Sequence, residues 1–260
     1  MNPLDSMLAQ FRSVRLSHHA RRLGGLLLNL VYPGACVCCQ TAIEESQGVS
    51  LCKPCRGELL RPRVACSRCG SLLAPGISGE PCPRCRELRL KFSRAVCLGS
   101  YDGLLRTAVL RMKRPADRPL AVALGDHLAT CVAAEFPPSE IDVVIPVPMH
   151  WSRRIWRGAN SPEVLAAAIA ERLRVPATSQ LLVRRRRTIP QATLSPGRRR
   201  ANVRGAFFVH PHRDLAGARV LLVDDILTTG ATLNEAAKTL RKAGCSDVSV
   251  AVLARAEGLH

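Results

Sequence analysis

The sequence predicts an α/β domain with a mainly parallel sheet flanked by helices, preceded by a short cysteine-rich module. From about Phe92 onward, apolar strands alternate with amphipathic helices, the order that builds a parallel sheet. Before that point, four C-x-x-C pairs fall in a stretch with too little apolar sequence for a core of its own. Hydrophobic residues make up 47% of the 260, which supports a packed core and excludes wholesale disorder. Aromatic residues are only 3%, so Ala, Val and Leu must fill that core.

Residues 1–35 form a basic leader. Arg21 and Arg22 precede the apolar stretch Leu23 to Val31, which has the outline of a signal peptide. The arginines lie far from Met1, Asn29 interrupts the stretch, and no small-residue cleavage site follows. The segment is expected to form an amphipathic helix, roughly Asp5 to Leu30, that packs on the body or touches a membrane surface. No apolar run reaches the roughly 18 residues needed to span a bilayer.

Residues 36–90 hold Cys36/Cys39, Cys52/Cys55, Cys66/Cys69 and Cys82/Cys85. Each half reads C-x2-C-x12-C-x2-C, and the second repeats the first after 30 residues. Two knuckles of this kind present four thiolates, a set that suits tetrahedral zinc. A disulfide framework would need an oxidising compartment and usually a small secreted chain. The expectation is therefore about two zinc ions in a cytoplasmic protein, with the metal supplying folding energy. Sequential pairing of the knuckles is expected, with crossed pairing as the alternative. Cys38 reads as a bystander, and Cys97, Cys131 and Cys245 as small buried hydrophobes.

Residues 91–260 form the α/β domain. Leu104 to Met112 and Leu120 to Phe136 read as helices, and Asp142 to Val147 as a buried strand entering a Pro-punctuated loop. Pro162 to Leu173 reads as a helix with Ser161 as N-cap. Val220 to Val223 is a continuous apolar strand. Leu233, Ala236, Ala237, Leu240 and Ala243 mark one helix face, Gly244 ends that helix, and Val248 to Leu253 is a further strand.

The segment from Val220 to Thr232 carries the most chemistry. A buried strand delivers Asp224 and Asp225, and the loop Thr228, Thr229, Gly230, Ala231, Thr232 opens a helix. In an open α/β sheet, ligands bind at such a strand end. The hydroxyls, the backbone approach allowed by Gly230 and the helix N-terminus favour phosphate. The two acids suit a ribose diol or a magnesium ion.

The chain is strongly basic, with 38 Lys plus Arg against 20 Asp plus Glu, a net charge of +18. That balance favours a polyanionic partner such as nucleic acid, phosphorylated metabolites or an acidic membrane surface. Between His150 and Arg204 stand 13 Arg and no Lys, against Glu163 and Glu171. Arg184 to Arg187 and Arg198 to Arg200 are the two dense clusters. They suit a pyrophosphate-covering loop, a nucleic-acid backbone or a plain solvated surface. No Ser-His-Asp or Cys-His arrangement stands out, which disfavours covalent hydrolase chemistry.

The Val220-to-Thr232 segment resembles the phosphoribosyl-pyrophosphate (PRPP) motif of type I phosphoribosyltransferases. The resemblance implies that Asp224 and Asp225 hold ribose hydroxyls while Thr228, Thr229, Gly230, Ala231 and Thr232 hold the 5′-phosphate. Over about residues 30–256, the chain resembles the ComF family of competence-associated proteins. The match comprises the double zinc ribbon, the Tyr101-to-Lys113 stretch, Pro146-Val-Pro148, Arg157-Gly-x-Asn160, Arg187-Thr-x-x-Gln191, Arg199-x-x-Asn202-Val-x-Gly-Ala-Phe207 and the PRPP motif. The run Arg157-Gly-Ala-Asn-Ser-Pro162 lacks the aromatic and Gln usual in that family. The resemblance implies a phosphoribosyltransferase-like domain behind a double zinc ribbon. It also implies a role in importing single-stranded DNA during natural transformation, with a DNA-uptake channel and a DNA-translocating ATPase as partners. The site would be cytoplasmic or peripheral at the inner face of the membrane. Arg153, Arg154, Arg157, Asn160, Arg187 and Arg199 are the candidates for pyrophosphate or nucleic-acid contact. Two alternatives stay open: an active phosphoribosyltransferase using PRPP and Mg²⁺ on an unidentified acceptor, and a PRPP-responsive nucleic-acid-binding regulator.

Overall fold

The computed structural model describes residues 34–43, 50–60, 64–73, 82–83, 85, 90–137, 139–149, 161–186, 196–210 and 215–256. The expected leader helix lies outside them. In chain order the elements are α1 (Lys53–Leu59), β1 (Ala95–Ser100), α2 (Gly103–Arg111), α3 (Arg118–Glu135), β2 (Val143–Pro146) and α4 (Ser161–Leu173). They continue with β3 (Leu182–Arg184), α5 (Pro196–Val203), β4 (Phe207–Val209), β5 (Arg219–Leu227), α6 (Ala231–Lys242) and β6 (Asp247–Arg255).

Four strands form one parallel sheet in the order β1-β6-β5-β2, while β3 and β4 pair antiparallel as a separate ribbon. Both faces of the sheet are covered, so the middles of its strands are mostly apolar. Along β5, Leu221 and Val223 join one core cluster while Val220 and Leu222 join the other. Along β6, Ala251 and Leu253 alternate in the same way with Val248, Val250 and Val252. One face carries α2, α3 and α4 through Leu105, Leu124, Leu165 and Ile169. The other carries α6 through the expected stripe Leu233, Ala236, Ala237 and Leu240, together with Leu182 and Phe207 of the β3–β4 ribbon.

This arrangement fixes where a ligand can sit. After β2 the next packed helix, α4, lies on one face, and after β5 the helix α6 lies on the other. The carboxyl ends of these neighbouring strands therefore flank a topological switch point.

Two elements depart from expectation. The strand expected over 220–223 runs on to Leu227, because its ladder with β6 continues through Asp224↔Val252, Ile226↔Ala254 and Leu227↔Arg255. Backbone groups that read as loop are thus satisfied by the sheet. Ser161, expected as an N-cap, lies within α4. It is 4% exposed, and its Oγ donates to the Met112 carbonyl at 3.4 Å, since a buried hydroxyl needs an acceptor.

The cysteine ribbons pack against this frame. In the first, Cys36, Cys38, Leu51, Cys55 and Leu59 share the core of α2, α3 and α4. Arg111 at the end of α2 donates to the carbonyls of Val37 and Cys38 and pairs with Asp117 at 2.8 Å. The second ribbon lies along β1, with Ala95 N–H donating to the Ser67 carbonyl at 2.7 Å and Arg68 donating to Ser93 at 2.8 Å. Cys245 is buried, and Cys97 and Cys131 pack partly buried against the cores. No described helix is long and apolar enough to cross a membrane.

Candidate functional site

Both cysteine sets close on themselves in sequential pairing. The sulfurs of Cys36, Cys39, Cys52 and Cys55 all lie within 4.8 Å of one another, as do those of Cys66, Cys69, Cys82 and Cys85. The crossed alternative is thereby excluded. The repeat is visible in the backbone as well. Gln40 N–H donates to the Cys36 carbonyl at 2.8 Å with φ 66°, and 30 residues later Gly70 does the same to Cys66 at 2.8 Å with φ 69°.

A zinc tetrahedron with Zn–S bonds of about 2.3 Å places its sulfurs about 3.8 Å apart. The observed separations are 3.6 Å for Cys39–Cys52, 3.7 Å for Cys66–Cys85 and 3.6 Å for Cys69–Cys82. Backbone N–H groups of Cys39 and Cys52 also approach Cys36 Sγ at 3.5 and 3.3 Å. Hydrogen bonding with Thr41 holds the Cys39 thiol down at about 6, whereas burial pushes Cys55 and Cys85 up. Four sulfurs this close cannot all ionise unaided, and a zinc ion removes that conflict. Two four-cysteine clusters consistent with two zinc ions follow. Cys38 stands outside the first cluster, as expected.

At the switch point, Asp224 and Asp225 sit on the last turn of β5. Burial and the adjacent Asp225 carboxylate push Asp224 well above the usual carboxylate range. Asp225 N–H donates to Asp224 Oδ1 at 2.9 Å, and Asp225 Oδ2 pairs with Lys113 Nζ at 2.7 Å.

Thr228 and Thr229 follow half-buried, and Gly230 caps α6 at φ 74°. That left-handed conformation is open to Gly at little cost. Ala231 N–H donates to Thr229 Oγ1 at 3.4 Å, and Asn234 N–H closes the first turn on the Gly230 carbonyl at 2.7 Å. The strand end, loop and helix start thus put hydroxyls, small residues and the positive end of α6 in one place beside the acids.

Two residues that sequence reasoning did not assign to the site stand here. Lys113 entered only as the end of a matched stretch. Arg255 closes the apolar strand β6 and is 2% exposed, with its guanidinium donating to the carbonyls of Leu227 (3.1 Å) and Thr228 beneath the loop. A cation ending an otherwise apolar strand is the signal that could have found it.

The arginine clusters separate. Arg184 stacks over Phe207 at 5.4 Å and Arg185 over Phe208 at 3.7 Å. Arg186 donates to the carbonyls of Asn202 (2.9 Å) and Arg204 (2.8 Å) at the end of α5. Arg199 on α5 is half-buried, while Arg198 and Arg200 are exposed. A groove of about 600 Å³ between α5 and α6 is lined by Lys91, Arg200, Arg204, Lys238 and, at one end, Thr229. Arg153, Arg154, Arg157, Asn160 and Arg187 lie outside the described residues.

Comparison with known proteins matches this geometry. The double zinc ribbon domain family matches residues 27–86, and the phosphoribosyl transferase domain family matches residues 159–258. Competence protein F of Haemophilus influenzae is 31% identical over 227 residues, covering 85% of this chain and 96% of that protein. DNA utilization protein YhgH of Salmonella typhi is 32% identical over 231 residues, covering 87% and 99%. Adenine phosphoribosyltransferase of Treponema pallidum is 39% identical over 85 residues, which are 33% of this chain and 43% of that enzyme. With its double zinc ribbon, parallel sheet and phosphoribosyltransferase domain, this chain belongs to the ComF/YhgH family of competence and DNA utilization proteins.

Proposed function

We propose that this protein is an accessory factor in the uptake or handling of single-stranded DNA, and that it binds a phosphoribosyl ligand at the carboxyl end of β5. The observation that carries the ligand reading is the left-handed Gly230 loop at the start of α6, set beside Asp224 and Asp225 at the switch point. The 5′-phosphate sits on Thr228, Thr229, Gly230, Ala231 and Thr232, where hydroxyls, backbone N–H groups and the helix dipole meet it. Asp224 and Asp225 face the ribose hydroxyls. Asp224, pushed toward its neutral form by desolvation and the adjacent Asp225 carboxylate, can donate a hydrogen bond, and Asp225, which faces Lys113, can accept one.

The names of the full-length relatives and the charge of +18 support the DNA reading. The exposed cations Arg198, Arg200 and Arg204 are the proposed backbone contacts, since Arg184 and Arg185 are engaged on the β3–β4 ribbon and Arg186 on the end of α5. By this reading the protein works in the cytoplasm or at the inner face of the membrane, beside a DNA-translocating ATPase and an uptake channel.

The test is calorimetric titration of the full chain with ribose 5-phosphate and with single-stranded DNA at two salt concentrations. The Arg198→Gln/Arg200→Gln/Arg204→Gln variant is expected to lose about 2 from the slope of log affinity against log salt, at about 0.7 per phosphate contact. Its ribose 5-phosphate affinity is expected to stay unchanged. An unaltered DNA slope would assign these arginines to solvated surface. Loss of affinity for phosphoribosyl pyrophosphate, titrated alongside, would instead place them in the pyrophosphate-covering role.

A further inference from the structure

The two acids of the phosphoribose site do not stand alone. Lys113 Nζ lies 2.7 Å from Asp225 Oδ2, and the two side chains are only 26% and 21% exposed. Screening by solvent is weak for a pair so enclosed. The lysine is also held in place. It follows α2 directly, Leu105, Ala108, Val109 and Met112 anchor that helix in the core, and the Met112 carbonyl accepts from Ser161 of α4. The ammonium is therefore delivered to the strand end by packed structure, unlike a long surface side chain that settles on the nearest acid.

A magnesium ion was one occupant that the acid pair suggested. Mg²⁺ demands near-octahedral oxygens at about 2.1 Å and sits against one or two ionised carboxylates. The donors here do not fit that need. Of the two acids, Asp225 already faces an ammonium, and Asp224, half-buried beside it, is pushed toward its neutral form by desolvation and the neighbouring carboxylate. The Lys113 ammonium offsets the Asp225 carboxylate it faces, so a phosphate dianion meets less repulsion beside the pair without any metal.

We propose that Lys113 is a working residue of the phosphoribose site, its ammonium standing where a divalent cation would otherwise meet Asp224 and Asp225, so that the site takes a sugar 5-phosphate without metal. An ammonium has three N–H donors. One is spent on Asp225, and the others serve the ribose oxygens. The ligand class that follows is a phosphoribosyl monoester that brings no magnesium of its own. This inference rests on the phosphoribosyl reading of the loop.

The experiment uses the full chain with its cysteine-bound zinc, in buffer depleted of other divalent metals. Ribose 5-phosphate is titrated with and without Mg²⁺, and free Mn²⁺ is counted separately by electron paramagnetic resonance in the absence of sugar. The parent is expected to bind ribose 5-phosphate equally, within about twofold, under both conditions and to bind no Mn²⁺. Lys113→Met is expected to lose about tenfold in metal-free affinity, one charge-assisted contact, and to regain it with Mn²⁺ or Mg²⁺ while acquiring a Mn²⁺ site. Lys113→Arg, which keeps the charge, should retain metal-free binding and exclude Mn²⁺. A parent whose affinity rises tenfold with Mg²⁺, or which binds Mn²⁺ as well as Lys113→Met does, overturns the proposal. If ribose 5-phosphate binds under neither condition, the phosphoribosyl reading falls, and the Mn²⁺ comparison alone then decides the role of Lys113.

Discussion

Gly70 lies at the tip of the second ribbon's first knuckle, where an added Cβ would stand 2.3 Å from Cys97 Sγ on β1. Ordinary contact begins near 3.4 Å, so Gly70→Ala requires the Cys97 sulfur to give way by more than an ångström, out of its packed rotamer. The backbone conformation is a smaller matter. Gln40 occupies the equivalent position of the first ribbon at φ 66°, against φ 69° for Gly70, so the knuckle itself accepts a side chain. Overpacking costs about 1–3 kcal/mol and the left-handed conformation about 1 kcal/mol more, which makes the expected loss about 3 kcal/mol. The measurement is the urea midpoint of zinc-saturated protein, with chelator-triggered zinc release as a second reading. Deleting the sulfur by Cys97→Ala should remove most of the penalty, so Gly70→Ala made in that background should cost only about 1 kcal/mol. Equal harm in both backgrounds would refute the overlap and return the cost to the backbone.

Arg255→Met keeps the buried stem but removes the guanidinium. The Leu227 carbonyl retains the Ala256 N–H at 2.9 Å, the Thr228 carbonyl loses its charged donor, and a loss of about 2–3 kcal/mol in unfolding free energy is expected. Inorganic phosphate affinity should fall with it, and an unchanged urea midpoint would show that the loop does not lean on this cation. Cys52→Ser should lower zinc from two ions to one by elemental analysis and, because Cys55 and Leu59 lie in the core of α2 and α3, lower the thermal midpoint of the α/β domain as well. Cys82→Ser should also leave one zinc, and it should weaken phosphate binding more than Cys52→Ser does.

Much of this was legible in the sequence because the signals were periodic. The 30-residue cysteine repeat named the eight ligands and left their pairing to the structure, and the stripe from Leu233 to Leu240 named the buried face of α6. What failed was what depends on contact across the chain. The strand through Asp224 and Asp225 looked finished at Val223, since acids and threonines read as loop and only the β6 ladder carries them in the sheet. Lys113 reads as one more cation in a chain with 38, and nothing local tells that α2 aims it at Asp225, 112 residues away in sequence. The run Arg184 to Arg187 read as a candidate polyanion surface, yet Arg184 and Arg185 spend their planes on Phe207 and Phe208, aromatics some two dozen residues later.

The unequal effects expected of the two zinc clusters follow from where each ribbon touches the sheet. The first contributes to the core under α2, α3 and α4, on the face opposite α6, so its loss weakens the domain broadly. The second has little core beyond its own four sulfurs, but Leu90 packs against that cluster and also against the core that holds Leu227 and Leu233. Leu90 comes within 3.9 Å of where a side chain on Gly230 would begin. Its neighbour Lys91 donates its backbone N–H to Asn234 of α6 at 2.6 Å and gives its carbonyl to Arg241 at 2.7 Å. Lys91 therefore holds both ends of the helix whose first turn is the proposed phosphate loop. A metal that holds Cys82 and Cys85 would fix the cluster against which Leu90 packs, and Leu90 in turn packs beside Gly230 at the start of α6. The second zinc ribbon is in this way placed to brace the proposed ligand site, and phosphate affinity is the quantity that tests it.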